Sequence, residues 1–551
     1  MKKSSINNTL PILLILLFCL SAFAQTNEIK CVLSFNDRML DVEIEVPENS
    51  LDKTSFGLTD EGGQNNYASN IYRVTAKDEK GNRLNVVKSD ARTWTISNLK
   101  KPFKLSYSVV SQKENFMGGG VRNHFHPSIF KNYAFLWGTS FLFYPENEKL
   151  ASMPVKLQII PNEYKNYYTN FEGKADSYHE LEQFFVAAGD YRVVEKNIGE
   201  RSVKFLLQGK DWKFTDAQFA DTVSRIIEAQ VRYIGFAPSK ENLLITLTEG
   251  TPDSRGGTVV KNVISVYPNP QAGIDDLETL KFIAHENFHS WNGSYWHGSS
   301  DKKEGYYKWM SEGFTEYYSG LTLFRENLIT EKQFVAWLNK LLLDYQTNPH
   351  AKSATAEILA EKYWESQDYN QLPYYKGALV AFLTDLKIRQ KTNGKKQIDD
   401  LMRILISKTD LIKGYDDQIL LGGFDDILQD KNEQFYKDYM LGSHILPIVE
   451  VLKKSGILTA EREREIFDFG FSLENGKFER GAKIKEVTTQ NAVEAGIKPG
   501  DILFAFSFNH EKPNEKASIT VQRNGENLSM KYFPMKTVKI LEIDENAKIP
   551  R

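Results

Sequence analysis

The sequence predicts a multidomain α+β chain, and three observations predict it. The first is length: 551 residues, 41% hydrophobic and 26% charged, exceed what one core organises and suggest three to five structural units. The second is a change of hydrophobic period. It is strand-like from about residue 27 to 210, helical from about 213 to 460, and strand-like again to about 545. The third is a pair of histidines four residues apart within the helical stretch, His285 and His289, which marks where chemistry is expected.

The chain opens on a segment that is not part of any fold. Lys2 and Lys3 precede an apolar run from Leu10 to Leu20, and Ala22 and Ala24 frame a small-residue cleavage site that would leave Gln25 first. The run is too short to favour spanning a bilayer. Phe18, just before Cys19, argues against a lipoprotein site. The expectation is a signal peptide over residues 1–24 and an exported protein, bacterial periplasmic or extracellular, with no membrane span after cleavage. Cys19 leaves with the signal, so Cys31 remains alone and no internal disulfide can form.

The next region, "MLDVEIEVPE", "FKLSYSVVS" and "YRVVEKN", alternates β-branched and aromatic residues between Gly, Asn and Asp turns, and reads as an N-terminal β-domain over 25–212. Then "DLETLKFIAHENFHSW", "EKQFVAWLNKLLLDYQ", "KGALVAFLTDLKIRQ" and "IDDLMRILISK" recur at three- and four-residue spacing, as buried helices do. No repeat, low-complexity tract or second apolar span occurs. Net charge is −3 with both signs interspersed, which gives no surface for nucleic acid or anionic membrane.

His285-Glu286-Asn287-Phe288-His289 is an H-E-x-x-H. Histidines four apart share a helix face and can reach one ion, and the glutamate between them lies near enough to deprotonate that ion's water. Leu277, Leu280, Ala284 and Phe288 give the segment an apolar face, and Asp275 or Asp276 could cap it. A catalytic zinc site needs a third protein ligand, for which His297, Glu304 and Glu312 are the nearby candidates. His297 lacks the spacing of the three-histidine zinc peptidases and reads as a loop residue. Glu312 lies in the aromatic helical segment "KWMSEGFTEYYSG". Glu316, four residues on, shares its face and suits a carboxylate that holds a ligand imidazole's N–H.

"HENFHSWNG", "KWMSEGFTEYY" and "LPYYKGALVAFLTDLKIR", with "GKKQIDDLMRIL" and "QFYKDYMLGSHILPIVEVL" further on, resemble the glycyl aminopeptidase family of zinc metallopeptidases (metallopeptidase family 61). The resemblance covers about nine-tenths of the mature chain. It implies one Zn2+ per chain on His285, His289 and Glu312, Glu286 as general base, and a peptide or protein substrate. It also implies a tyrosine that stabilises the oxyanion, in a Tyr-x-Lys-Gly context that falls on Tyr374, with Tyr375 as the rival. A phenol suits that role because its hydrogen bond strengthens as negative charge develops.

The sequence departs from the family at one place. Members carry Gly-Gly-x-Glu-His on the active-site edge strand, where the glutamate receives the substrate's amino terminus. Here Gly256 and Gly257 keep the glycines as expected substrate-binding positions, but Val259 and Val260 replace the glutamate and histidine. Glu249 and Asp253, just upstream, are the carboxylates that could substitute. Peptidase chemistry is implied, while aminopeptidase against endopeptidase specificity is open.

Finally, "GAKIKEVTTQNAVEAGIKPGDILFAF" resembles a PDZ domain, with Phe469, Gly470 and Phe471 as the loop that would take peptide C-termini. The expected order is an N-terminal β-domain, a thermolysin-like catalytic domain over 213–378, an α-helical domain over 379–459 and a PDZ domain over 460–545. Two rival functions remain: a zinc hydrolase of a non-peptide substrate, and a peptide-binding PDZ protein with a vestigial peptidase domain.

Overall fold

The computed structural model describes residues 27–36, 38–48, 51–59, 66–97, 99, 102–111, 125–171, 173–239, 242–249, 256–474, 476, 478–509 and 512–551. The expected signal segment and Asp253 lie outside them. The described chain is multidomain α+β, with a β-rich N-terminal unit followed by a unit that contains the long helices. Among the described residues no helix is long and apolar enough to cross a membrane.

The first unit ends at Tyr191. Its main sheet has six strands, and alternation builds it: Ile29–Asn36 and Met39–Val46 each bury every second side chain, so their shared register puts Cys31, Leu33, Val42 and Ile44 on one apolar face. Burial pushes the Cys31 thiol up to about 12, against a weaker opposing hydrogen bond from Tyr178, so it is an inert core residue.

The division into two compact units falls at Tyr191/Arg192. β1 (Arg192–Ile198) and β2 (Arg201–Leu207) pair with each other and then, through β2, run parallel to β3 (Leu243–Leu247). β4 (Gly256–Val260) is the antiparallel edge beside β5 (Val263–Tyr267), and the sheet order is β1-β2-β3-β5-β4. Helix α1 (Asp216–Ile234) connects β2 to β3. A Thr215–Gln218 capping box starts it, and Gly235, at φ +94°, ends it in a left-handed turn.

The helices then follow: α2 (Leu277–Phe288), α3 (Gly313–Arg325), α4 (Glu331–Thr347) and α5 (Gln367–Lys391). The boundary expected at 378/379 falls inside α5, which runs unbroken from the site into the helical core, so the catalytic and helical regions share one core. Buried Gln230 on α1 fixes this arrangement. Its amide donates to Ala284 O on α2 (2.7 Å) and Thr322 Oγ1 on α3 (3.3 Å), and its Oε1 accepts from Asn287 (2.7 Å).

Beyond the helices, Thr459–Phe467 pairs with Met535–Ile543, and between them the segment 469–532 forms a small core of its own around Ile484, Leu503 and Ile519. The chain end does not stop with this module. Ile543, Ala547 and Ile549 return to the helical core, where Asn339 of α4 bonds both the N–H (2.7 Å) and the carbonyl (2.9 Å) of Ile543.

Candidate metal centre and cleft

Asp276, one of the two expected caps, accepts from Thr279 N at 2.9 Å and starts α2. The apolar face of α2 is buried, and Glu286, His285 and His289 come to line a cleft of about 640 Å³. A tight turn follows His289, and Asn292 anchors it: its buried amide donates to Met310 O (2.9 Å), Ser311 O (3.2 Å) and Thr315 Oγ1 (3.1 Å). That ties the end of α2 to the start of α3.

Glu312 sits between a short helix, Lys308–Ser311, and α3. Its Oε2 lies 3.5 Å from His285 Nε2 and 3.2 Å from His289 Nε2, and the two imidazole nitrogens are 3.1 Å apart. Ligands bound to zinc at about 2.0–2.1 Å in a tetrahedron stand about 3.3 Å from one another. The trio therefore has the spacing of three corners of such a site. Among the described residues, these three form the one cluster of metal-ligating type. His297 and Glu304 do not join it: His297 Nδ1 turns to Gly298 O at 3.0 Å, and Glu304 pairs with Lys308 at 3.2 Å.

The other ring nitrogens are committed elsewhere. His285 Nδ1 lies 3.1 Å from Glu316 Oε2, and His289 Nδ1 lies 2.9 Å from Asn292 O. Both partners only accept, so each Nδ1 carries a proton and each Nε2 is the nitrogen turned toward the cleft. Burial works to lower the pKa of His285, but Glu312 and Glu316 outweigh it and hold it up at about 10. The carboxylates create a strong demand for a cation at this point. Burial opposes ionisation of Glu316, yet Lys281, 3.2 Å from its Oε1, and His285 bring its pKa down to about 2. Burial raises the pKa of Glu286, with His285 and His289 opposing, which favours a carboxylate able to hold a proton.

Tyr374 of α5 lines the cleft, its ring stacked 6.0 Å from His285 at 14°. Burial, Glu312 and Tyr363 hold its phenol far above the usual range, so it is a proton donor at any working pH. Tyr375 instead packs, partly buried, against the helical core. The position of Tyr374 depends on two glycines. A Cβ on Gly313 would stand 2.3 Å from Gly377 Cα, and one on Gly377 would stand 2.1 Å from Trp309 O. Only glycine on both helices lets α3 and α5 cross in backbone contact.

On the edge strand, Gly256, Thr258 and Val259 line the cleft. A Cβ on Gly257 would meet Ser265 O at 2.0 Å and the Phe282 ring at 2.4 Å, so this glycine lets β4 lie against α2. Glu249 faces elsewhere, accepting from Lys210 N at 2.9 Å. In the C-terminal module Phe469 and Phe471 stack with Phe478, and the Gly470 N–H donates to Asp468 Oδ1 at 2.7 Å. Sequence reasoning missed Asn292, Lys281 and Lys308 in this site. Asn292 lies in the "HSWNG" stretch, and a buried amide just past a histidine ligand is the signal that could have found it.

No curated protein matches the sequence. Among solved structures, the chain is similar to an aminopeptidase N family protein from Idiomarina loihiensis, with 17% identity over 94% of this chain and 98% of that one and a TM-score of 0.71. It is also similar to an M1 zinc metallopeptidase from Deinococcus radiodurans, with 13% identity over 77% of this chain and 95% of that one and a TM-score of 0.46. The first likeness is one of fold. Residues 33–192 match the Peptidase M61 N-terminal domain, and residues 278–380, which carry His285 through Tyr374, match the M61 glycyl aminopeptidase domain. With both parts of one family matched in order, this chain belongs to the M61 glycyl aminopeptidase family.

Proposed function

We propose that the chain is a zinc-dependent peptidase with one ion held by His285, His289 and Glu312. The observation that carries this is the convergence of three ligand atoms at tetrahedral spacing beside a carboxylate and a phenol in one cleft. Zinc bound there would lower the pKa of a water and polarise the scissile carbonyl. Glu286 takes the water's proton and delivers it to the leaving amine. Tyr374 donates to the oxygen on which negative charge develops. Glu316 and the Asn292 carbonyl hold the two imidazoles in the tautomer that leaves Nε2 free. We read the region over 213–378 as a thermolysin-like catalytic domain.

The edge strand decides specificity. With Val259 in the cleft and Glu249 turned away, β4 offers no carboxylate to a substrate's ammonium. Peptides with blocked amino termini should therefore be cleaved comparably to free ones. The test is chelator-sensitive cleavage of a peptide library, then kcat/KM on matched free and N-acetylated peptides. A preference above about a hundredfold for the free amine would overturn the specificity reading, and Glu278, a carboxylate of the cleft, would be the next to change.

The C-terminal module we read as PDZ-like, and its loop as structural, since Asp468 already occupies the Gly470 N–H that a peptide carboxylate would need. A vestigial peptidase is disfavoured because ligands, base and phenol are all in place. Export with cleavage after Ala24 completes the reading, and N-terminal sequencing of the mature protein tests it.

A further inference from the structure

Lys308 is a partly buried cation that no step above uses. It stands four residues after Glu304 and four before Glu312, with its ammonium 3.2 Å from Glu304 Oε1 and 2.9 Å from Glu312 Oε1. The Tyr363 ring lies 5.5 Å away. The partners differ: the Glu304 side chain is 55% exposed and its attraction is screened, while that of Glu312 is 9% exposed. The close pairing is thus with the oxygen of Glu312 that faces away from the histidines.

Resting on the metallopeptidase reading, we propose that Lys308 is a positioning residue that confines Glu312 to one-oxygen ligation and draws charge from its metal-facing oxygen, leaving a weaker-binding and more electrophilic centre. Two-oxygen ligation would require Oε1 to leave an ammonium in a half-dry site, where such a bond is costly to break. An ion on Oε2 would stand about 5–6 Å from the Lys308 ammonium, close enough for two positive charges to repel through low-dielectric surroundings. The other lysine beside the ligand shell does not act this way. Lys281 pairs with Glu316 (3.2 Å) and Glu278 (3.6 Å), neither of which belongs to the His285–His289–Glu312 cluster. Lys308 adds its charge on the carboxylate side of the centre, 2.9 Å from Glu312 Oε1.

The test uses the full-length protein and zinc itself. Zinc affinity is measured by competition with a chromophoric chelator, alongside peptide kcat and the absorption spectrum of the cobalt-substituted enzyme, for the parent, Lys308→Met, Lys308→Gln and Lys308→Arg. Gln keeps a donor to Glu312 and removes only the charge, so it decides the matter where Met fails to fold. The expected result is zinc bound at least tenfold more tightly by Met and Gln, with kcat at least tenfold lower and an altered cobalt spectrum, and with Arg close to the parent. A merely structural lysine would give the opposite sign. Weaker or unchanged zinc affinity in the Gln variant overturns the proposal, and so does Arg behaving like Gln. A parent that binds no zinc overturns the metallopeptidase reading itself, which separates the two failures.

Discussion

Gly377→Ala tests whether catalysis depends on the helix crossing that carries Tyr374. The added Cβ would stand 2.1 Å from Trp309 O and 2.7 Å from Gly313 Cα, both backbone atoms that no rotamer change can clear. Relief to an ordinary contact near 3.4 Å requires α5 to part by about 1.3 Å from the short helix Lys308–Ser311 and by about 0.7 Å from α3. Tyr374 lies one turn before Gly377 and moves with it, away from the Glu312 end of α3. Overpacking of this kind costs about 1–3 kcal/mol, offset by about 1 kcal/mol from alanine's better helix propensity. The loss of stability should therefore be small. The rate should suffer more, since about 1 Å of misplacement at a reacting centre costs on the order of a hundredfold. Peptide turnover, zinc content and thermal denaturation are the assays, with Gly422→Ala, whose Cβ meets nothing within 4 Å, as the control. The expected result is a 10–100-fold fall in kcat with zinc retained and the fold intact. Unimpaired turnover in a folded Gly377→Ala protein would refute the dependence of Tyr374 on the crossing.

Three further outcomes are expected. Tyr374→Phe should raise the barrier by about 2–4 kcal/mol with KM little changed, while Tyr375→Phe stays within about twofold because its ring packs in the core; the reverse order would move the oxyanion donor by one residue. Glu286→Gln should keep its zinc and lose about 10²–10⁴ in turnover, whereas His285→Ala and Glu312→Ala should lose the zinc, as metal analysis would show. Lys376, whose ammonium donates to Gly442 O, is pushed by burial from 10.5 down to about 8. The unfolded state binds this proton more tightly, so the lysine's cost is constant below pH 8 and is relieved as pH rises from about 8 to 10.5, by up to ~3 kcal/mol. Denaturation of Lys376→Met should lack that relief, and parallel pH profiles for the two proteins would contradict it.

Hydrophobic period made the elements legible but not their partners. "YRVVEKN" alternates as a strand whichever sheet it joins, and its place in the second unit is decided by β2 pairing with β3, across the whole of α1. The change from strand pattern to helix pattern therefore comes one hairpin after the division between the two compact units. Helix α5 likewise runs through 378/379 without a break. Nothing in "KGALVAFLTDLKIRQ" interrupts the helical period, and Gly377 serves a backbone crossing rather than a helix end. Close approach and termination both select glycine, and sequence alone does not say which applies.

The candidate site divides along the same line. His285, Glu286 and His289 were legible because one helix turn fixes their geometry. Glu312 and Tyr374 needed the resemblance, since α2, α3 and α5 meet only through tertiary contacts such as the Gln230 clamp and the Gly313–Gly377 crossing. Lys308 escaped because Glu304-x3-Lys308-x3-Glu312 reads as two ordinary surface pairs at helical spacing, and only burial of Glu312 changes its meaning. The consequence is a ligand shell with three different backings. A carboxylate stands behind His285, a neutral carbonyl behind His289 and an ammonium behind Glu312. On the proposed role of Lys308, the affinity and electrophilicity of a metal held here would be set by residues outside the H-E-x-x-H motif, with Lys308 opposite in sign to Glu316.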